Sequence, residues 1–167
     1  LIQDYYTPLY WLYVDISTSA TLKNLDTFLR DTWLECCGHL SSFEIDEETY
    51  NSSPDTDSFW GKKEQGMNFK LYNMLSVDTT FIHEYDFGST TRLKLKVVSE
   101  YERPISKKKV EILARNLPPE FKCSQCDKAI ATNVCTDCGD WLCDECSEEH
   151  ECGEEMLLPV VNSPRVG

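Results

Sequence analysis

Short runs of alternating hydrophobic and polar residues dominate the first two thirds of the chain. In residues 10–16, Tyr, Leu, Val and Ile at even positions alternate with Trp, Tyr and Asp at odd positions, which predicts a strand. The same period predicts a strand at 81–87 and a partner strand at 92–97, separated by a turn that contains Gly88. Shorter hydrophobic runs predict further strands at 40–45 and 110–113.

A longer period marks a helix between the first two strands, because hydrophobic side chains recur there every three or four residues. Thr21 is suited to cap its first turn, and Gly38 is suited to end it in the left-handed conformation. Residues 69–75 predict a second, short helix, whereas the polar residues 46–66 predict a long surface loop. The hydrophobic face of the first helix consists of Leu22, Leu25, Phe28, Leu29 and Trp33.

The order of these elements indicates the fold class. A strand, a helix and a strand are followed by a loop and three more strands, and this mixture favours an α+β layer. We therefore expect an α+β fold, with a mainly antiparallel sheet and one or two helices, plus a small C-terminal zinc-binding module.

A domain boundary is predicted at Pro118-Pro119, because two prolines neither continue a helix nor donate to a sheet ladder. The composition changes at the same place. Residues 1–119 carry 18 acidic and 13 basic side chains, and residues 120–167 carry 11 acidic and 3 basic ones. We predict an α+β domain at 1–119 and a two-zinc, cross-braced finger at 120–167.

Seven of the nine cysteines lie in the second region, in a pattern typical of zinc ligands. Three Cys-x-x-Cys pairs and a final His-x-Cys pair supply eight ligands, enough for two sites of four. Because only four residues separate the second and third pairs, these two pairs are not expected to share an ion. We favour an interleaved arrangement, while a sequential one, first pair with second and third pair with His-x-Cys, stays open. The interleaved ligands are Cys123, Cys126, Cys143 and Cys146 for one zinc, and Cys135, Cys138, His150 and Cys152 for the other.

Two Zn²⁺ ions with four protein ligands each have no open coordination position, so we expect structural and not catalytic sites. Little apolar mass lies between the ligands. The two ions are therefore expected to supply much of the folding free energy of the finger, on the order of 10 kcal/mol each.

The ligand order and spacing from Cys123 to Cys152 resemble those of the B-box zinc finger. Trp141 and Leu142 also fit, since an apolar residue commonly precedes the fifth ligand, here Cys143, in that family. The B-box usually ends in two histidines, whereas the last ligand here is Cys152. The resemblance implies a cross-braced module that binds proteins.

Two stretches of the first domain carry a second family pattern. One runs from Thr21 to Trp33 and continues through Gly38, and the other is Tyr85-Asp86-Phe87-Gly88 with the strand that follows. Together they resemble the plasmid pRi open-reading-frame-three-like family, which comprises passenger proteins of mobile elements that are sometimes labelled resolvase-like. Over most of residues 10–115, the resemblance implies an α+β domain of unestablished activity. The resolvase label finds no nucleophilic serine among arginines and no basic DNA-binding helix here.

Two further groups have both a functional and a structural interpretation. Cys36, Cys37 and His39 can form a thiol–imidazole pair or a metal site, but buried thiols at a helix end are the favoured interpretation. The lysines at 107–109 can contact phosphate, but a solvated loop is favoured.

His83, Glu84 and Asp86 can form an acid–base set. Strand alternation, however, places His83 on the face opposite Glu84 and Asp86. We expect Asp86 instead to brace the turn at Gly88 by accepting hydrogen bonds from the backbone.

Charge and hydrophobicity narrow the possible functions. The net charge of −13 disfavours binding to phosphate backbones. The sequence contains no run of eighteen apolar residues, so no membrane-spanning segment is predicted. The metal-type cysteine spacing and the lack of a recognisable leader favour a reducing compartment, so we expect a cytoplasmic protein.

These observations favour a non-enzymatic adaptor with a protein partner, and we assign no catalytic or cofactor-binding residue. One alternative is a nucleic-acid-associated protein of a mobile element, which would use Arg92, Lys94, Lys96 and the lysines at 107–109. The other alternative is an enzyme with a cleft between the two domains.

Overall fold

The computed structural model describes residues 1–34, 38–55, 64–104 and 109–165. The chain divides into two compact units, Leu1–Asn116 and Leu117–Gly167, which we call the body and the tail. Each has its own buried cluster of side chains. In the described parts of the chain, no helix has the length and hydrophobicity needed to cross a membrane.

The body is built on one eight-stranded sheet with the strand order β5-β4-β3-β6-β7-β1-β2-β8. All neighbouring strands are antiparallel except β4 and β5, which run parallel. This mainly antiparallel sheet with its helix confirms the predicted α+β class. The strands are β1 (Ile2–Asp4), β2 (Trp11–Ile16), β3 (Ser41–Ile45), β4 (Glu48–Asn51), β5 (Gln65–Gly66), β6 (Thr80–Tyr85), β7 (Thr91–Lys96) and β8 (Val110–Arg115).

Helix α1 spans Leu22–Leu29 and continues into a π-helical turn at Arg30–Leu34. The predicted cap at Thr21 is confirmed: its Oγ1 accepts the backbone N–H of Asn24 at 3.3 Å, and the Asn24 side chain accepts the Thr21 N–H at 3.1 Å. This reciprocal pair satisfies two of the backbone donors that a helix start leaves free. Gly38 has the predicted left-handed conformation, with φ of 75°.

The core lies between α1 and one face of the sheet. Leu22 and Leu29 of the helix are fully buried, as are Phe43 and Leu93 on the facing strands. Each such side chain stabilises the fold by roughly 1.5–3 kcal/mol relative to an exposed one. On β6, Phe81, His83 and Tyr85 all point into this core, because alternate residues of a strand share a face.

A long loop was predicted at 46–66, but its described parts contain two strands, while residues 56–63 lie outside the described part of the chain. Asp46 and Glu47 both have positive φ, 49° and 65°, and make a tight hairpin turn that pairs β4 with β3. Strand β5 then pairs with β4. The prediction was wrong for β4 because the strand is short and polar, and its one hydrophobic residue, Tyr50, which packs against the core, is too little to display alternation.

Two other elements differ from the prediction. The helix predicted at 69–75 is only a 3₁₀ turn at Leu71–Asn73. Strand β1, which was not predicted, lies between β2 and β7 and buries Ile2. Three residues are too few to display a period, so the surrounding strands define β1 more than its own sequence does.

The tail holds a small three-stranded sheet in the order β10-β9-β11. Its strands are β9 (Asn133–Cys135), β10 (Trp141–Leu142) and β11 (Leu157–Pro159), and both neighbouring pairs are antiparallel. A five-residue helix, α2 (Asp144–Glu148), follows β10, and a 3₁₀ turn at Glu154–Met156 precedes β11.

Candidate metal centres

Tight backbone turns shape the first two Cys-x-x-Cys pairs. The N–H of Asp127 donates to the carbonyl oxygen of Cys123 at 2.9 Å, and the N–H of Gly139 donates to that of Cys135 at the same distance. Asp127 and Gly139 both have positive φ, 52° and 81°. The chain therefore reverses immediately after each pair, and both sulfurs of a pair can reach one ion.

Centre one consists of four cysteines whose sulfur atoms all lie within 4.8 Å of one another. The Sγ atoms of Cys126 and Cys143, for example, are 4.0 Å apart. Zinc–sulfur bonds of about 2.3 Å in a tetrahedron place sulfurs about 3.8 Å apart, so the arrangement fits a four-coordinate ion. The four residues of centre one are Cys123, Cys126, Cys143 and Cys146.

Centre two combines three cysteines and a histidine within the same limit of 4.8 Å. The Sγ of Cys138 lies 3.4 Å from Nε2 of His150. A tetrahedral ion with sulfur and imidazole ligands requires about 3.5 Å between these atoms, so this set can also hold a metal. The four residues of centre two are Cys135, Cys138, His150 and Cys152.

The structure brings the eight residues together in the interleaved grouping. The first pair lies with the third, and the second pair lies with the His-x-Cys pair. The short β10 strand between Gly139 and Cys143 explains this. It pairs with β9 and carries the chain from the second centre back to the first. No disulfide joins any of the seven cysteines in the described part of the tail.

Backbone amides lower the pKa of the first cysteine of each early pair. The N–H groups of Cys126 and Cys143 lower the pKa of the Cys123 thiol to about 6. The N–H of Cys138 contributes most to lowering the pKa of Cys135, again to about 6. Since a metal binds the thiolate, these hydrogen bonds prepare both sulfurs as ligands.

The last cysteine of each centre has the opposite shift. The pKa of Cys146 rises to about 12, first because its thiol shares a hydrogen bond with the Cys143 sulfur. The pKa of Cys152 also rises to about 12, first because its surroundings desolvate the thiolate. A dication at each centre would offset both effects, because its charge stabilises all the thiolates at once.

Hydrophobic packing supports centre one. Leu142 is fully buried and packs with Cys123 and Cys143, and Leu157 of β11 packs against the same cluster. Next to it, the rings of Phe121 and Trp141 stack with their centroids 4.0 Å apart.

The body contains a second arrangement of polar groups, which we call the Asp26 cluster: Asp26, Arg30, Ser41 and His83. The Asp26 carboxylate accepts hydrogen bonds from Ser41 Oγ at 2.7 Å and from Arg30 Nε at 2.9 Å, and its Oδ1 lies 2.8 Å from His83 Nε2. One Arg30 NH2 group also donates to Ser41 Oγ at 2.8 Å. These bonds lower the pKa of Asp26 against the opposing effect of burial, which is the largest single influence.

His83 is the most enclosed member of this cluster. Its side chain is fully buried, and desolvation lowers its pKa despite the Asp26 carboxylate beside it. Within the described residues, its Nδ1 has no hydrogen-bond partner. Asp26 and Ser41 are buried with it, and the hydrogen bonds among the three residues brace α1 against the sheet.

Sequence reasoning missed the partners of His83. It compared His83 with Glu84 and Asp86, whereas the partner lies on the helix. One signal was present: Asp26 and Arg30 stand four residues apart beside the hydrophobic face of α1, where a charged pair needs buried partners.

The acid–base set of His83, Glu84 and Asp86, which strand alternation disfavoured, does not assemble. His83 points into the core, while Glu84 accepts a hydrogen bond from Arg92 Nε at 2.7 Å on the other face of the sheet. Asp86 braces the turn as predicted, because its Oδ1 accepts the N–H groups of Gly88 at 3.0 Å and Ser89 at 3.3 Å.

His39 lies beside that turn, with its Nε2 3.6 Å from Oδ2 of Asp86. The backbone N–H of His39 donates to the Tyr85 hydroxyl at 3.3 Å. Cys36 and Cys37 lie outside the described residues.

Two members of the proposed basic face, Arg92 and Lys96, are paired with carboxylates. Lys96 pairs with Asp78 at 2.9 Å, and Lys109 donates to the Asn24 side chain at 3.2 Å. Lys94 is exposed on β7, where the neighbouring arginine is held by a glutamate as described above. Residues 107 and 108 lie outside the described part of the chain.

Comparisons with models of known families, with curated proteins and with solved structures find no match to this chain.

Proposed function

We propose that this chain is a non-enzymatic, zinc-binding adaptor whose tail is a rigid protein-docking element. The observation that carries the proposal is the pair of four-ligand clusters, each compact enough to enclose one ion. Thiolate and imidazole ligands in a tetrahedral arrangement favour zinc over the harder divalent ions, which prefer oxygen.

Saturated coordination supports a structural role for the metal. A catalytic zinc keeps one position for water or substrate, whereas three or four cysteines with at most one histidine are typical of closed structural sites. Each centre here supplies four protein ligands. The ions would then stabilise the tail and expose none of their coordination sphere to chemistry.

The tail needs this stabilisation because its hydrophobic cluster is small. Among the described residues of the tail, its buried members are Cys123, Leu142 and Cys143, and two of these belong to centre one. Zinc binding on the order of 10 kcal/mol per site would exceed what so small a core can contribute.

The charge of the molecule supports a protein partner over nucleic acid. Residues 120–167 carry a net charge of −8. The four thiolates of centre one and the three of centre two carry more negative charge than two divalent ions would neutralise. Nucleic-acid binding depends on clustered, unpaired lysines and arginines. In the body, ion pairs with Glu84 and Asp78 occupy two of the basic side chains that such binding would use.

Two family relationships are part of this proposal. The ligand spacing of the tail supports a B-box-like, cross-braced finger. The Tyr85-Asp86-Phe87-Gly88 signature supports membership of the body in the plasmid pRi open-reading-frame-three-like family, and its Asp86 organises the turn between β6 and β7. We further propose a cytoplasmic location, where reduced thiols remain available to zinc.

The decisive experiment measures the metal and its ligands. Elemental analysis of the purified chain is expected to give two zinc ions per molecule. X-ray absorption at the zinc edge is expected to show only sulfur and nitrogen neighbours, with zinc–sulfur distances of about 2.3 Å. Absence of zinc, or an oxygen ligand from exchangeable water, would overturn the structural role.

The adaptor role needs a separate test. Binding partners from the native host would be captured on the full zinc-loaded chain and on the fragment 1–119. A third sample would carry Cys123→Ser together with Cys143→Ser, which removes centre one from an otherwise complete chain. A partner retained only by the intact tail supports the proposal. Substrate turnover that depends on Glu84 or Asp86 would contradict it.

A further inference from the structure

The two metal centres differ in how well the protein covers their ligands. In centre one, Cys123 is 1% exposed and Cys143 is 6% exposed, and the other two cysteines are half-buried. In centre two only Cys135 is buried, and Cys138 is exposed. A reagent in solution therefore reaches a sulfur of centre two more easily.

Contacts among the ligands show the same difference. In centre one, two sulfurs come as close as 4.0 Å, those of Cys126 and Cys143, and both residues are buried or half-buried. In centre two, the contact of 3.4 Å between Cys138 Sγ and His150 Nε2 joins an exposed cysteine to a half-buried histidine. Cover by surrounding groups orients and protects metal ligands, so centre one is held more firmly.

The surroundings of the two centres differ as well. All four ligands of centre one belong to the hydrophobic cluster of the tail or pack against it, and in the described residues no ligand of centre two does. His150 of centre two instead borders an open surface cleft of about 540 Å³, which is also lined by Glu148 and Glu154. Water and small solutes can approach its ring from that side.

We propose that centre two is a releasable, peroxide-sensitive zinc site, whereas centre one is permanent. This inference rests on the proposed function, because it assumes that both centres hold zinc. It assigns the two ions different tasks: one maintains the fold of the tail, and the other holds the segment that carries His150 and Cys152.

The chemistry of release is a two-electron oxidation by a hydroperoxide. The Cys138 thiolate attacks the peroxide, which breaks the O–O bond, releases hydroxide (or alkoxide) and leaves a sulfenic acid. The thiolate of Cys135 or Cys152 then attacks that sulfur, forms a disulfide and displaces a second hydroxide. Two thiolates are oxidised, one peroxide is reduced, and the zinc ion leaves a site that has lost two ligands.

Release would free one part of the tail and keep another. His150 and Cys152 are the only ligands of centre two that lie beyond α2. Without their ion, the segment from 150 to 153 loses its link to the turn after β9. Centre one still holds the hairpin of β9 and β10 through Cys143 and the cluster around Leu142.

The test uses the full zinc-loaded chain. Either EDTA or hydrogen peroxide is added, zinc per chain is followed by native mass spectrometry, and accessible thiols are trapped with N-ethylmaleimide and located by peptide mapping. In EDTA, the first ion is expected to leave at least about tenfold faster than the second, the size of effect that outer-shell contacts commonly have. Cys135, Cys138 and Cys152 are expected to be alkylated before any ligand of centre one. In peroxide, the same stage should give a disulfide of Cys138.

Two matched variants assign the ions. Cys138→Ser and Cys126→Ser each change the second cysteine of a Cys-x-x-Cys pair. Cys138→Ser is expected to bind one zinc ion and to lose the fast phase of zinc release in EDTA. Cys126→Ser should lose the slow phase of zinc release or fail to fold. The kinetics of the unmodified chain remain informative in either case. Simultaneous release of both ions, or earlier alkylation at Cys123 and Cys126, would overturn the inference and leave the adaptor proposal intact. A chain that binds no zinc at the start would refute both.

Discussion

Asp26 is the residue on which the polar organisation of the body depends. A buried carboxylate is costly unless every lone pair finds a donor, and Asp26 receives donors from the helix and from two strands. The same bonds fix the rotation of α1 relative to β3 and β6. Apolar contacts alone would specify that geometry less strictly.

Removal of this carboxylate should therefore destabilise the body strongly. For Asp26→Ala we expect a loss of about 3 kcal/mol in the free energy of unfolding, because Arg30 and His83 lose their shared partner in a buried site. Asp31→Ala is the matched control, since Asp31 is an exposed aspartate in the next turn. It should change the stability by less than about 0.5 kcal/mol. Urea unfolding followed by circular dichroism measures both, and equal effects would show that the cluster has no special role.

A second prediction concerns how the stability of the body depends on pH, and it follows from the burial of His83. Burial lowers its pKa in the folded chain, while the unfolded chain binds a proton at the ordinary value of about 6.5. Protons therefore favour the unfolded state below that pH. The contribution of His83 to the free energy of unfolding is fully present above about pH 6.5. It should decrease as the pH falls, by up to about 1.4 kcal/mol per pH unit.

The variant His83→Asn isolates that contribution. Asp26 has a lowered pKa, so its own contribution is retained until the pH falls below the ordinary carboxyl range. Between pH 5 and 6.5, a region set by the ordinary histidine value, the variant should show a flatter stability profile than the parent chain. Parallel profiles from urea titrations would mean that His83 is charged in the folded protein.

Helix α1 owes its starting point to the Thr21 cap. Thr21→Ala removes the acceptor for the Asn24 N–H and is expected to cost about 1 kcal/mol. Thr27→Ala is the control: the Thr27 hydroxyl is exposed and bonds only to a carbonyl one turn earlier. That change should be nearly neutral, within about 0.5 kcal/mol. A shift of the urea midpoint in the first variant alone, at unchanged slope, would establish the cap.

Elements with a strong hydrophobic period were predictable from sequence, and elements without one were not. Strand β7 alternates Leu93 and Leu95 with charged neighbours because one face is buried and the other is open, so its period is visible. Strand β5 forms one edge of the sheet and β4 lies next to it, where β4 pairs with β3 through a turn of two positive-φ residues. Asp-Glu is an uncommon sequence for that turn, so the hairpin left no local signal.

The two Cys/His clusters of the tail could be predicted because metal chemistry restricts residue type and spacing together. Cys-x-x-Cys places two sulfurs on one ion with little help from the rest of the fold. The Asp26 cluster has no such signature. Its four members are separated by up to 57 positions, and only the packing of α1 on the sheet brings them together. A buried polar network is therefore visible in sequence only as a charged residue near a hydrophobic face.

The molecule as a whole is expected to respond to metal removal in two parts. The buried cluster of the body contains only residues of Leu1–Asn116, and that of the tail contains two metal ligands among its buried members. Natural domains are stable by only about 5–15 kcal/mol, which is less than the two zinc ions together would contribute. Without zinc, the tail should therefore unfold while the sheet of the body persists.

Amide NMR spectra of the full chain before and after chelation test this directly. Signals from residues 120–165 should collapse into the narrow range of unfolded chains, and signals from β3, β6 and β7 should keep their dispersion. Addition of zinc should restore the original spectrum, since the ligands are still present and reduced. A tail that stays dispersed without metal would show that its packing suffices. Loss of the body signals in parallel would show that the zinc ions stabilise the entire chain, because both clusters then unfold as one cooperative unit.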